Sequence, residues 1–259
     1  MNESDFEFEV ETKPKKFLPA LFIPILLKPK KTLDEIAEKE HAVWIAPLIA
    51  LMITALILVL VSAPLVGQAS QPTGQPDMYE YYSPEQQEQY QNAVNMGVSP
   101  IVTMVFPLVG KFLGIWVGWI LLGSILHLSL TLNGSRSSNR SALNIVAWSS
   151  VPLILRDIVQ IFAILITRQT IQQPGLSGFI AEGSTGFLTV VGVLLSFLDI
   201  YLIWQIVLIG MGARRISGLK VSKSWLASIV AVVIFLALKA IPGFISAQLS
   251  GLSPTRMFF

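Results

Sequence analysis

Apolar residues gather into five long runs along this chain, at about 42–65, 101–132, 141–167, 187–212 and 225–248, with polar, Gly-, Pro- or Arg-bearing segments between them. Each run meets or exceeds the ~20 residues an α-helix needs to cross a hydrocarbon core. The pattern predicts an all-α protein: an integral membrane bundle of five transmembrane helices with a short cytoplasmic N-terminal arm. No polar stretch between the runs is long enough to form a second domain. The organisation expected is therefore an acidic tail and interfacial segment at 1–27, then one membrane domain over 28–250.

The polar segments carry their own signals. The chain begins "MNESDFEFEVET", where acidic residues alternate with Phe6, Phe8 and Val10; this reads as a disordered tail. "KKFLPALFIPILLKPKK" is apolar but too short to span, is interrupted by Pro19 and Pro24, and has lysines at both ends. Such a segment belongs in the interface, with its lysines in the headgroups. "TLDEIAEKE" places Thr32 and Glu35 at capping-box spacing, which predicts a short surface helix starting at Thr32. The loop 66–100 is rich in Pro, Gln and Tyr, and Ser83, Pro84 and Gln86 mark a short helix within it. Tyr79, Tyr81 and Tyr82 suit a membrane interface.

Composition agrees with the pattern. Hydrophobic residues make up 53% of the chain and charged residues only 13%, with a mean hydropathy of +0.65; soluble domains carry about 25% charged residues. There is no cysteine, which excludes disulfides, thiolate metal sites and cysteine nucleophiles. The net charge of +2 matters only once it is placed on loops. Lys13, Lys15, Lys16, Lys28, Lys30, Lys31 and Lys39 precede the first run, Arg136 and Arg140 lie between the second and third, and Arg214, Arg215, Lys220 and Lys223 between the fourth and fifth. On the alternate side stand only Arg168 and Arg256. Under the positive-inside rule this predicts a cytoplasmic N-terminus and a C-terminus on the far side. No block is basic enough to indicate nucleic-acid binding.

Five ionisable residues fall inside the runs: Lys111, Arg156, Asp157, Asp199 and Lys239. A charge at the centre of a membrane helix costs roughly 2.5–3.5 kcal/mol on insertion scales, so each calls for a reason. Lys111 and Lys239 lie toward run ends and are expected to snorkel. Arg156 and Asp199 each lie 12 residues from the far end of their runs, as marked by Arg168 and Phe187, so a helical rise of ~1.5 Å per residue puts them at one depth near the midplane. Each also falls on a polar or small-residue stripe: Ser149, Pro152, Arg156, Gln160 and Ala163 on the third run, and Gly192, Ser196, Asp199, Ile203, Ile206 and Gly210 on the fourth. A buried Arg156–Asp199 pair is expected, with Asp157 on another face, toward Lys111 or Lys239. Gly110, Gly114 and Gly118 share a face of the second helix and predict close packing inside the bundle in preference to self-association.

Catalytic signals are thin. His41 precedes Trp44 at the interface, and His127 lies three residues after Ser124 on the second run. A Ser/His pair on one helix lacks the orienting third group that nucleophilic activation needs. "GMGARRISG" follows a membrane helix and not a strand, so it is a basic loop and not a nucleotide site. No metal-ligand spacing is present. The expectation is a protein with no enzymatic activity and no cofactor.

Three pieces together, "LLKPKKTLDEIAEKEHAVWIAPLI", "WSSVPLILRDI" and "FLDIYLIWQIVLIGMGARRISG", resemble in order and spacing the prokaryotic branch of the Yip family, the Ypt/Rab-interacting membrane proteins. The resemblance covers roughly 26–248; Leu33 departs from the aromatic expected after the proline element. It implies five membrane helices and a cytoplasmic N-terminus, and, for eukaryotic members, binding of lipidated Rab GTPases in vesicle traffic. The positions carried over by resemblance are Pro29, Pro47, Pro152, Asp157, Asp199, Trp204 and Gly210, as family-pattern positions without a catalytic role. The reading that follows is a multi-pass scaffold or adaptor whose partners are the lipid bilayer, other membrane proteins or a small GTPase, in the cell membrane if the source is prokaryotic. The alternative is a small transporter or channel subunit that uses Arg156 and Asp199; five spans without a visible repeat weigh against it.

Overall fold

The computed structural model describes residues 17–39, 41–72, 74–76, 78–171, 173–180 and 187–250; the acidic tail of the sequence reading lies outside them. Among these residues the only regular structure is helical. Five helical stretches are long and apolar enough to cross a membrane: Ile45–Ala69, Pro84–Leu132, Asn139–Thr167, Ile200–Ser217 and Val221–Gly243.

At the N-terminal side, α1 (Phe22–Leu27) and α2 (Pro29–Ala37) form a bent pair. Pro29 stands at the first position of α2, where its missing N–H costs nothing and its fixed φ favours the helix. The expected start at Thr32 is therefore corrected: Thr32 lies inside α2, is buried, and returns its hydroxyl to the Lys28 carbonyl. Leu33 and Ile36 are fully buried beside Ile25, whereas Ile23 and Leu27 face outward. The first span is α3 (Ile45–Ala69). After it, α4 (Pro84–Gly97) starts with a complete capping box between Ser83 and Gln86. A π-helical turn at Ile101–Val105 joins α4 to α5 (Phe106–Leu132).

The third and fourth runs are not single helices. The third is α6 (Asn139–Ser149) and α7 (Val151–Thr167), parted at Ser150 and restarted by Pro152. The fourth is α8 (Phe187–Phe197) and α9 (Ile200–Ser217), parted at Leu198 and Asp199. α9 alone has 18 residues, or ~27 Å of helix. The fifth is α10 (Val221–Ser250), which packs along α5, α8 and α9.

The tightly packed part of the bundle sits at the end that carries Arg136, Arg140, Arg214, Arg215, Lys220 and Lys223. There α5, α6, α9 and α10 bury Trp119, Leu126, Val146, Ile209 and Ala231 together. A second cluster joins α1, α2, α6 and α9 around Trp148, which is fully buried and stacks against Phe22. Three hydrogen bonds pair buried polar groups there, while the buried Ser149 hydroxyl of α6 has no partner among the described residues. The Asn144 amide accepts from the Val43 N–H at 2.9 Å and donates to the His41 carbonyl at 3.0 Å, while the Trp148 indole donates to the Val43 carbonyl at 3.1 Å. The short segment before α3 is thus tied by both edges to α6, which fixes the angle at which the first span enters the bundle.

Candidate functional site: charges at a broken span

Asp199 is not inside a helix. Its backbone is extended (φ −134°, ψ 173°), and its Oδ1 accepts the Leu202 N–H at 2.7 Å as the N-cap of α9. Asp is among the strongest N-cap residues, because its side chain satisfies an N–H that has no intrahelical partner. The expectation of one continuous fourth span is corrected here: the carboxylate that looked misplaced in a membrane helix is the residue that ends one helix and starts the next. The six-residue stripe proposed for that span is divided accordingly. Gly192 and Ser196 belong to α8, Ile203 faces out of the bundle, and Gly210 faces the Trp225 ring.

A break at this depth exposes carbonyls at the end of α8, and backbone polar groups in a membrane must find partners inside the protein. The preceding loop supplies one. The Leu176 N–H donates to the Leu195 carbonyl at 2.9 Å. Gly175, at φ +59°, lies so close that an added Cβ would be 2.7–2.8 Å from the carbonyl oxygens of Leu195, Ser196 and Leu198. Only glycine fits both that dihedral and that approach.

Arg156 stands between two carboxylates. It lies 3.6 Å from Asp199 and 3.5 Å from Asp157. These are ion-pair distances, longer than good hydrogen bonds. Asp157 is buried, and its second oxygen accepts the Thr54 hydroxyl of α3 at 3.1 Å. Asp157 therefore does not turn away from Arg156 as the sequence reading had it; Arg156 shares it with α3. Lys239 is exposed, as expected of a snorkelling side chain. Its ammonium sits 4.4 Å from the centroid of the Phe197 ring. Lys111 is likewise exposed. Arg156, Asp157 and Asp199 form a cluster of one cation and two anions that, with the Thr54 hydroxyl, links α3, α7 and α9. Just toward the basic end, Gln205 donates to the Ser150 hydroxyl at 3.0 Å, so the interruption of the third span is tied to the helix that starts at the interruption of the fourth.

The glycine face behaves differently from the expectation. A Cβ on Gly118 would touch the Phe235 ring at 3.4 Å, but Gly110 and Gly114 have nothing within 4 Å. The close approaches lie at Gly123, against Leu143; at Gly210, against Trp225; and at Gly212, against Ile145. The regular spacing of Gly110, Gly114 and Gly118 marks a helix face, but that face is turned outward at Gly110 and Gly114 and meets α10 at Gly118. Thr54 is the member of the cluster that sequence reading missed. Its signal was a polar side chain in a run otherwise almost wholly apolar.

The remaining family-pattern positions are structural in location. Pro29, Pro47 and Pro152 each lie in the first turn of a helix, and Trp204 packs against the Trp148 cluster. Among the described residues no group of three or more His, Cys, Asp and Glu is arranged to hold a metal ion.

The three segments singled out in sequence converge in space. Asp34 of the first meets Arg215 of the third at 2.7 Å, Val43 of the first meets Trp148 of the second, and Arg156 of the second meets Asp199 of the third. The model of the Yip1 domain family matches residues 23–243, and the chain belongs to that family. No curated protein and no solved structure matches it.

Proposed function

We propose that this member of the Yip1 domain family is a non-enzymatic scaffold or adaptor that presents a rigid basic platform to other membrane proteins or to a small GTPase. The supporting observation is how that platform is held. α2 is pinned to α9 through Asp34–Arg215 and through the buried Leu33 and Ile36, and the segment leading to α3 is tied to α6 through Asn144 and Trp148. This leaves Lys30, Lys31, Lys220 and Lys223 around a fixed surface. On this reading the platform is cytoplasmic, by the positive-inside rule, and the bilayer is the first partner; in a prokaryote the bilayer would be the cell membrane.

A second reading is favoured by one observation. Interrupted helices around charges are how many transporters build their sites, and the fourth span is interrupted at Asp199. Against it stands the mutual pairing of Arg156, Asp157 and Asp199. Crosslinking in native membranes, followed by mass spectrometry, separates the two. The adaptor reading expects a recurrent protein crosslinked to Lys30, Lys31, Lys220 or Lys223. A proton-linked flux in proteoliposomes that Asp199→Asn abolishes, with no recurrent partner, would put the transporter reading in its place. Orientation is tested by single cysteines: Gln75→Cys and Ser177→Cys react with an impermeant reagent in intact cells, and Ser137→Cys does not.

A further inference from the structure

At the end of the bundle opposite the basic loops, two clefts run into each other. The lower, of about 450 Å³, lies between the last turns of α3 and the π-helical turn, and is lined by Leu60, Ala63, Pro64, Val98 and Met104 among others. The upper, of about 360 Å³, lies between the loop after α3 and α4, and is lined by Gln75, Tyr90, Gln91 and Asn95. Gln71 and Val98 border both, so the two are one continuous groove. Each part is within the size range of small-molecule clefts.

We propose that this groove binds a membrane lipid with an uncharged, hydroxyl-bearing head, a neutral glycolipid, with an acyl chain in the lower cleft and the sugar in the upper.

Three features support the assignment. First, the lower cleft lies within the apolar band of the spans. Leu60 and Val66 of α3 and Ile101 and Val105 of the π-helical turn are outward-facing at the same level, so the cleft opens to hydrocarbon. Its floor stays open because Gly67 has no side chain to close the gap toward Thr103, where a Cβ would lie 3.8 Å from the methyl group. Second, the upper cleft is rich in exposed side-chain amides. Gln71, Gln75 and Asn95 make no side-chain hydrogen bond to the described residues, and each amide both donates and accepts, as a sugar hydroxyl does. Third, among the described residues neither part is lined by Lys, Arg, Asp or Glu. A phosphate head would find no charge-assisted partner there, whereas every cation of the chain's loops that the structure describes, other than Arg168, is at the opposite end. The tyrosine cluster beside it, Tyr79 against Tyr82 and Tyr90 with ring centroids 5.7 and 5.4 Å apart, gives the groove a rigid wall at headgroup level.

The test uses the full-length protein purified from vesicles of phosphatidylcholine and phosphatidylglycerol that contain a minor fraction of monoglucosyl diacylglycerol. Native mass spectrometry then counts the lipids that stay bound. The expected result is enrichment of the glycolipid over its share of the bilayer by roughly tenfold, equivalent to about 1.4 kcal/mol. The double variant Gln71→Leu/Asn95→Leu removes the amides from an exposed surface and loses that enrichment, while Gln89→Leu, on α4 but outside the groove, retains it. Val98→Trp fills the junction and loses both lipid classes from the site. Retention of phosphatidylglycerol in preference to the glycolipid, or unchanged enrichment in the double variant with an unchanged melting temperature, would overturn the assignment.

Discussion

The basic end and the charge cluster are held together by different forces. At the basic end the helices meet through fully buried apolar side chains, and each polar group in the Asn144–Val43–Trp148 contact has a short hydrogen bond. At the cluster, α7 and α9 meet through charges 3.6 Å apart, α3 joins through the Thr54 hydroxyl, and the Nε atom of Arg156 is buried with no hydrogen-bond partner. Shape complementarity with short, directional hydrogen bonds admits one arrangement. Coulombic attraction is less directional, so it fixes which helices are neighbours more firmly than it fixes their exact geometry. One end is built as a frame, the other as a clasp.

The largest effect is expected where the frame is cut. Trp148→Ala leaves a cavity between α1, α6 and α9 and orphans the Val43 carbonyl. Removal of a buried aromatic typically costs about 3–5 kcal/mol, and thermal melting in detergent, with folded yield, measures it. A loss no greater than that of an exposed residue such as Trp116→Ala would show that the frame does not carry the fold.

Next comes the clasp. Arg156→Ala or Asp199→Ala strands a charge at membrane depth. Arg156 and Asp199 retain 29% and 20% side-chain exposure, so the loss belongs between the ~1 kcal/mol of an exposed pair and the ~3–5 kcal/mol of a buried one. Asp199 has a second role that Arg156 lacks. Asp199→Asn keeps an N-cap and loses the charge; Asp199→Ala loses both and is expected to be less stable by a further ~1 kcal/mol. A double-mutant cycle on melting temperature measures the coupling. Strict additivity of Arg156→Ala and Asp199→Ala would remove the clasp.

Glycine positions sharpen the contrast further. Gly212→Leu drives a side chain into Ile145 in the frame and is expected to destabilise by about 1–3 kcal/mol. Gly114→Leu meets open space and is expected to leave the melting temperature of the monomer unchanged. Comparable losses at both positions would mean that the outward face of α5 is covered. The smallest effect is at the platform. Asp34 and Arg215 lie 2.7 Å apart, but both are about 40% exposed. Asp34→Asn is expected to change stability by less than ~1 kcal/mol, with the difference fading in high salt. Its signature is faster hydrogen exchange in α2, not a lower melting temperature.

Several elements were legible in the residues because their causes are local. Twenty or more apolar residues in a row mark a membrane span, although, as the third and fourth runs show, not a single unbroken helix. Ser83, Pro84 and Gln86 determine a helix start, because the capping groups are three residues apart and need no other part of the chain. Arg156 and Asp199 pair in sequence by depth and by the polar stripe each falls on, since rise per residue and face periodicity are properties of any helix. Partners and faces depend on distant residues. Thr54 and Asp157 are 103 positions apart, and nothing in either neighbourhood names the other. Gly110 and Gly114 have the same spacing as a packed glycine face, yet a Cβ on either would meet nothing within 4 Å among the described residues. The division of the fourth run shows the boundary most clearly. Sequence supplied an aspartate able to cap a helix and an apolar run able to continue as one. A side chain that bonds to nearby N–H groups competes with the helix, but the break also exposes carbonyls that a membrane does not solvate. Gly175 and Leu176 come back from another part of the chain to cover them, and so only the tertiary structure decided that Asp199 begins a helix instead of lying within one.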